Sequence, residues 1–210
     1  MAQKSSGDKL FAHLAPFAPD SPGHLRVIIE TPQGSRNKFS YDEKLGLFKL
    51  GGVLPAGAVF PFDFGFVPST TGGDGDPLDV LVLMDEPAFA GCLVETRLLG
   101  VIEAEQTEED GETMRNDRLI AIAANARNHK EVRSLGQLGA NLVDEIEHFF
   151  VSYNEMKGKR FAPLGRHGAQ RAERLIEEGV RRFRARGRKA AAQKSRKSSG
   201  SGAVAAKKRR

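Results

Sequence analysis

The sequence predicts an α+β fold: a small β-barrel or curled sheet followed by helices. Strand-like segments fill the chain as far as Ala124, whereas the two segments with helical spacing come last. Many strands first and two helices last is the order of a sheet flanked by late helices. No internal repeat is present.

The elements follow in order. Met1 to Gly23 holds Ser, Pro, Gly and Ala with scattered apolar residues (Leu10, Phe11, Leu14, Phe17) and reads as a loosely attached arm. Leu25 to Thr31 is rich in β-branched residues and reads as a strand. After the turn at Gly34–Asn37, Lys38 to Asp42 alternates and reads as the returning strand of a hairpin, with another short strand at Leu47–Phe48. Pro and Gly forbid a helix from Leu54 to Pro68, where Phe60, Phe62, Phe64 and Phe66 form an alternating aromatic row suited to core packing. Val80–Leu83 is a short apolar run, a buried strand. Cys92 to Glu105 alternates, with Val94, Thr96, Leu98, Gly100 and Ile102 on one face, and Arg118 to Ala124 is another apolar strand. Leu142, Ile146, Phe149, Phe150 and Tyr153 recur at steps of three and four within a helix over 139–153. A second helix over 170–186 carries Ala172, Leu175, Ile176, Val180 and Phe183 on its apolar side. Residues 188–210 bury too little to fold and read as a disordered basic tail. The domain is thus 24–187, between the arm 1–23 and the tail.

The chain has 210 residues, enough for one domain with a real core. No apolar run approaches the roughly 18 residues of a membrane helix. The polar N-terminus shows no secretory signal, and the single cysteine, Cys92, permits no internal disulfide; both suit a cytoplasmic location. The net charge of +5 hides an asymmetry. Thirteen of the 32 basic residues lie from Arg181 onward with no acid among them, so the first 180 residues hold 19 basic and 27 acidic side chains. The body is acidic. The basic end suits a weak, salt-sensitive contact with nucleic acid or another polyanion.

Asp74-Gly-Asp-Pro-Leu-Asp79 is the chemically richest segment. It sets three carboxylates within six residues on a turn that leads into the Val80–Leu83 strand. Converging carboxylates repel one another, and a hard cation such as Mg²⁺ relieves the repulsion. The plain alternative is a solvated turn in which Asp74 and Asp76 make Asx-type hydrogen bonds. Asp79 argues against it, because a charge at the approach to a buried strand is costly unless paired or metal-bound. The loop lacks the sixth-position Gly and twelfth-position Glu of an EF-hand. The five His show no zinc-like spacing, and Cys92 has no evident base partner.

Asp74-Gly-Asp-Pro-Leu-Asp79-Val resembles the signature of the soluble, Mg²⁺-dependent inorganic pyrophosphatases of the first family. Val27-Ile-Ile-Glu30-Thr-Pro, Asn37-Lys38, Phe60-Pro-Phe-Asp-Phe-Gly65, Pro87 to Val101 and His148-Phe-Phe-Val-Ser-Tyr153 are similar to segments of that family, in its order. The resemblance implies a five-stranded, OB-like β-barrel with flanking C-terminal helices, hydrolysis of pyrophosphate to two phosphates with several Mg²⁺ ions, and assembly into homo-oligomers. By the same resemblance, Asp76 is the candidate general base, Asp74 and Asp79 are metal ligands, and Glu30 stands at the edge of the site near further metal ions. Lys38 and Tyr153 are phosphate contacts, and Asp110 falls in a loop that carries another metal-binding aspartate. The family's Asp-x-Lys reads here as Asn116-Asp117-Arg118, with Arg118 in the phosphate-binding place. Strand alternation turns Asn116 toward the site, and a bulge would be needed to bring in Asp117.

The chain departs from the pattern at several points. Ser40 replaces an acid, Gly52 an arginine and Asn154 a lysine, while Phe64 replaces a tyrosine. Lys157, Lys159 and Arg160 are candidates to restore the missing charge. A second reading follows from these losses: a weakened relative that binds metal or phosphate, tethered to polyanions by its tail.

Overall fold

Residues 11–205 are described by the computed structural model. The elements are β1 (His24–Thr31), β2 (Asn37–Asp42), β3 (Leu47–Val53), β4 (Asp63–Phe66), β5 (Asp79–Leu83), β6 (Leu93–Thr107), β7 (Thr113–Arg115), β8 (Arg118–Ala123), α1 (Ala140–Glu155), β9 (Arg160–Gly168) and α2 (Ala169–Ala205). A 3-10 turn at Leu135–Leu138 precedes α1.

Five strands close a ring in the order β1–β4–β5–β8–β6, and β6 returns to β1. This is the expected OB-like barrel. Closure leaves those strands without a free edge. β5 and β8 run parallel, with Asp79 opposite Arg118; the other ring contacts are antiparallel. Leu25, Val27 and Ile29 of β1, Val80 and Val82 of β5, and Leu119 and Ala121 of β8 lie in the core.

β6 is the longest strand because it serves several partners. Its first part pairs with β1, its middle with β8, and its end with β7 and β9. Leu98 to Ile102 are buried on both faces. The single-face alternation expected from the sequence therefore breaks there, at a register shift between Leu98 and Gly100. A side chain at Gly100 would meet the His167 carbonyl oxygen at 2.2 Å.

α1 buries Val143, Ile146 and Phe150, with Leu142, Phe149 and Tyr153 beside them. Phe149 and Tyr153 pack on Phe60, and Phe150 packs on Phe64 and Phe161. The aromatic row thus joins the barrel to the helix. α2 packs Ala172, Leu175 and Ile176 into the core.

Further features differ from the sequence reading. β2 pairs with β3 in a separate two-stranded sheet, so its hairpin partner follows it in sequence instead of preceding it. β9 is a strand with little apolar pattern; Pro163 and Gly165 interrupt it, and Phe161 is its one buried residue. Residues 11–23 are attached: Phe11 packs on Tyr41, Phe48 and Phe66, and Phe17 bridges to Leu25. α2 continues to Ala205, into the stretch read as a disordered tail; Ala, Arg, Lys and Gln favour helix as far as Lys197, whereas Ser198-Ser-Gly-Ser-Gly202 does not. Residues 1–10 of the arm and 206–210 of the tail, including the basic Lys207–Arg210, lie outside the described residues.

β1 and β4 approach closely at Gly65. A Cβ there would stand 2.1 Å from the Ile28 carbonyl oxygen and 2.9 Å from Ile29 Cα. Both contacts are backbone, so no rotamer change relieves them. Gly65→Ala is expected to lower unfolding free energy by about 3 kcal/mol or more in a denaturant titration. A loss below about 1 kcal/mol would show that the two strands can separate without harm.

Candidate active site

The segment Gly72–Asp79 folds back on itself before entering β5. The Gly72 amide donates to the Asp76 carbonyl at 2.6 Å, and the Asp76 amide donates to Asp74 Oδ1 at 3.1 Å. Gly75, between the two aspartates, has φ +91°, a conformation natural only to glycine. The loop base is tied by Thr70, whose hydroxyl donates to the Val67 carbonyl and accepts from the Leu78 amide. The preceding residue, Ser69, also has left-handed backbone (φ 55°), and its hydroxyl donates to the Ala12 carbonyl.

The loop forms one wall of a cleft of about 680 Å³. Asp74, Asp76 and Asp79 line it together with Glu30, Lys38, Asn116, Arg118 and Tyr153. Eight of the ten expected site residues thus share one cavity. Burial and the crowding of carboxylates raise the pKa values of Asp74 and Asp76. Burial first, and then the neighbouring Asp79, push the Asp74 carboxyl up to about 6. Asp76 is raised by partial burial and by Asp79, against a lowering pull from Arg186.

The other acids are matched by cations. Arg118, buried at 4% exposure, donates to Asp79 Oδ2 at 2.5 Å and to the Asn116 side-chain oxygen. Its guanidinium lies 4.9 Å from the Phe150 ring centre and 5.4 Å from that of Phe161. Glu30 accepts from Lys38 Nζ at 3.0 Å and from the Tyr41 amide at 2.7 Å; burial nevertheless raises its pKa. Lys38 Nζ also stands 4.2 Å over the Phe64 ring. The ring that lacks a tyrosine hydroxyl therefore still serves the lysine through a cation–π contact. Tyr153 has its phenol raised chiefly by burial, and its oxygen accepts from Lys157 Nζ at 2.5 Å.

Two expected residues stand elsewhere. Asp110 is exposed at the β6–β7 turn, where it caps the Glu112 amide. Asp117 lies outside this cleft, in an adjoining pocket that Asp74, Asp79 and Asn116 also line: its carboxylate accepts from the Ala104 amide at 3.0 Å and from Arg115 at 2.8 Å. Asn116 occupies the inward position beside Arg118, as strand alternation requires. Of the replacement cations, Lys157 and Lys159 line the cleft and Arg160 does not.

Sequence reasoning missed Gln106, Glu108 and Arg186, all on the cleft wall. Gln106 accepts from the Asn116 side-chain amide, and Glu108 pairs with Lys159 at 2.6 Å. Continuing the β6 alternation from Ile102 through Ala104 would have found the first two. Among the described residues, no three acidic, histidine or cysteine side chains already stand as a closed ligand set. Instead Arg118 pairs with Asp79, Lys38 with Glu30 and Lys159 with Glu108.

The comparisons bear on this geometry directly. The family model described as inorganic pyrophosphatase matches residues 27–184. An inorganic pyrophosphatase of Halalkalibacterium halodurans is 37% identical over 164 residues, covering 78% of this chain and 97% of that protein. One from Synechocystis is 35% identical over 167 residues, covering 80% and 96%. The crystal structure of the Thermus thermophilus inorganic pyrophosphatase superposes with a TM-score of 0.74 at 33% identity, over 83% of this chain and 99% of its own. The Neisseria gonorrhoeae inorganic pyrophosphatase gives 0.72 at 32% identity, over 82% and 97%. With matched sequence over most of its length, the same fold and the acidic cleft in place, the chain belongs to the inorganic pyrophosphatase family.

Proposed function

We propose that this chain hydrolyses inorganic pyrophosphate to two phosphates with Mg²⁺ as its divalent cofactor. The observation that carries the reading is the Asp74–Asp76–Asp79 cluster facing Lys38, Arg118, Tyr153 and Lys157 across one cleft. Family membership implies a divalent metal, and the residues present fit one. The acidic loop offers only oxygen donors, and burial followed by the neighbouring Asp79 has lifted the Asp74 carboxyl to about 6. A hard dication relieves that repulsion. When bound, such ions lower the pKa of water and screen phosphate charge.

The side chains divide the remaining work. Asp74 and Asp79, with Asn116 and Glu30 nearby, would hold the cations. Asp76 is exposed at the loop tip and free to take a proton from the attacking water. Lys38, Arg118 and Tyr153 would hold phosphate oxygens, with Lys157 supporting Tyr153. Burial and neighbouring Lys159 lower the pKa of Lys157, so an arriving phosphate would stabilise its charged form. Asp110 and Asp117 stand outside this arrangement and would bind no metal in it.

The same reading carries a homo-oligomeric state, a cytoplasmic location and weak polyanion contact through residues 188–210. No helix among the described residues is long and apolar enough to cross a membrane.

Phosphate release from pyrophosphate with Mg²⁺, before and after Asp76→Asn, tests the proposal. Turnover is expected to require the metal and to fall by about 10²–10³-fold in the variant. No release at high protein concentration would favour the weakened, binding-only reading. A chain ending at Gly187 should turn over within about twofold of the full chain, since general-base and metal residues all precede it; a large loss would place residues 188–210 in the reaction.

Burying Asp74 beside Asp79 costs stability. A carboxyl raised from 3.8 to about 6 penalises the folded state above pH 6, and the penalty disappears as pH falls below its ordinary value. Asp74→Asn should therefore raise the metal-free melting temperature at pH 7.5 by about 5 °C while abolishing Mg²⁺-dependent turnover. The stabilisation should shrink at pH 4. Equal melting temperatures at pH 7.5 would mean that Asp74 is not under electrostatic strain.

A further inference from the structure

Resting on the pyrophosphatase reading of the cleft, we propose that Arg186 is a positioning residue for the reaction. Its guanidinium fixes the peptide between Asp74 and Asp76 and thereby sets where the two carboxylates point. Arg186 lies beyond residue 184, where the family match ends.

The observations concern how α2 meets the acidic loop. Gly179, Arg182 and Arg186 recur at steps of three and four and so share one helix face. All three touch the segment that carries the aspartates. The Thr71 amide donates to the Gly179 carbonyl at 3.1 Å, Arg182 Nη1 donates to the Thr71 carbonyl at 3.4 Å, and Arg186 Nη1 donates to the Gly75 carbonyl at 2.8 Å. The helix comes this close because residue 179 is glycine. A Cβ there would press on Leu78 Cδ1 at 2.9 Å and Thr70 Cβ at 3.2 Å.

Gly75 is the one loop residue whose orientation both aspartates share. It joins them, and its carbonyl accepts from Arg186. The bonds inside the loop tie Gly72 to Asp76 and Asp74 to Asp76, but none of them restrains the Gly75 carbonyl. Arg186 supplies that restraint from a rigid element. Arg118, Lys38 and Lys159 each pair with a carboxylate; Arg186 makes no ion pair within 4 Å among the described residues, and its charge acts on Asp76 from a greater distance. Its contact goes to a neutral oxygen, which is what holding a backbone requires. A catalytic constellation needs its side chains within about 0.5 Å of the working geometry, and support from a rigid helix is one way to obtain it.

The test compares the full-length protein with Arg186→Ala, Arg186→Lys and Arg188→Gln in steady-state pyrophosphate hydrolysis with Mg²⁺. Amide hydrogen exchange across residues 72–79 is followed in parallel. Arg186→Ala should lower kcat about tenfold with KM within twofold, and should speed exchange in the loop. Arg186→Lys should recover part of kcat, because a lysine also donates to a carbonyl. Arg188→Gln removes a charge from the same helix and should match the parent. Parent-like kcat and exchange in Arg186→Ala would overturn the proposal. So would a rise in KM with unchanged exchange, which would mean direct contact with substrate, or an equal loss in Arg188→Gln. A parent protein without turnover would refute the functional reading and the kinetic part of this one, while the exchange comparison would still decide whether Arg186 holds the loop.

Discussion

The ion pair between Asp79 and Arg118 is the contact on which the site depends. It joins the end of the acidic loop to the barrel wall, and the parallel register of β5 and β8 sets its two residues side by side. Arg118 is almost wholly buried, and a buried guanidinium is costly unless it is both paired and covered. Asp79 and Asn116 supply the pairing; Phe150 of α1 and Phe161 of β9 supply the cover. The late elements of the chain therefore roof the cation that anchors the loop. Losing either charge would leave the other stranded in a low-dielectric setting.

The cleft as a whole is a balance of unlike charges. Glu30 with Lys38, Asp79 with Arg118 and Glu108 with Lys159 are each nearly neutral as pairs. Asp74 and Asp76 make no such ion pair among the described residues, and burial together with the neighbouring Asp79 raises their pKa values. Their mutual repulsion is what a bound dication would relieve. The same repulsion works against the metal-free fold, so stability and activity pull in opposite directions at this loop. Several departures from the family pattern soften on inspection. The Phe64 ring still serves Lys38, and Lys157 stands beside Tyr153 one turn after Asn154. Gly52 lies opposite Lys38 on the small sheet and supplies no cation.

Much of this was legible in the chain. The β-branched run of β1, the apolar run of β5 and the helical stripe of α1 each follow from side chains that must be buried on one surface or two. The acidic loop was legible because carboxylates at that spacing need a reason to coexist. What escaped was set by distant partners. β9 pairs along β6 through backbone groups, so its side chains carry almost no pattern. β2 chose β3 over β1 because the ring had already claimed both edges of β1. Asp110 looked like a ligand by its place in the chain, yet the tight β6–β7 turn faces it outward, and Glu108 lines the cleft from the same loop. Arg186 was hidden in a basic stretch whose composition reads as solvent-facing.

The anchoring of the first segment has a practical outcome. Phe11 wedges among Tyr41, Phe48 and Phe66, and the adjacent Ala12 carbonyl is gripped by Ser69, three residues before the glycine pair that opens the acidic loop's approach. Phe11 and Ala12 themselves line the reaction cleft. A purification tag fused ahead of Phe11 would be tethered at that doorway, where added histidines could compete for the cofactor and added bulk could obstruct the substrate, so rate constants are best taken from protein after the tag has been cleaved.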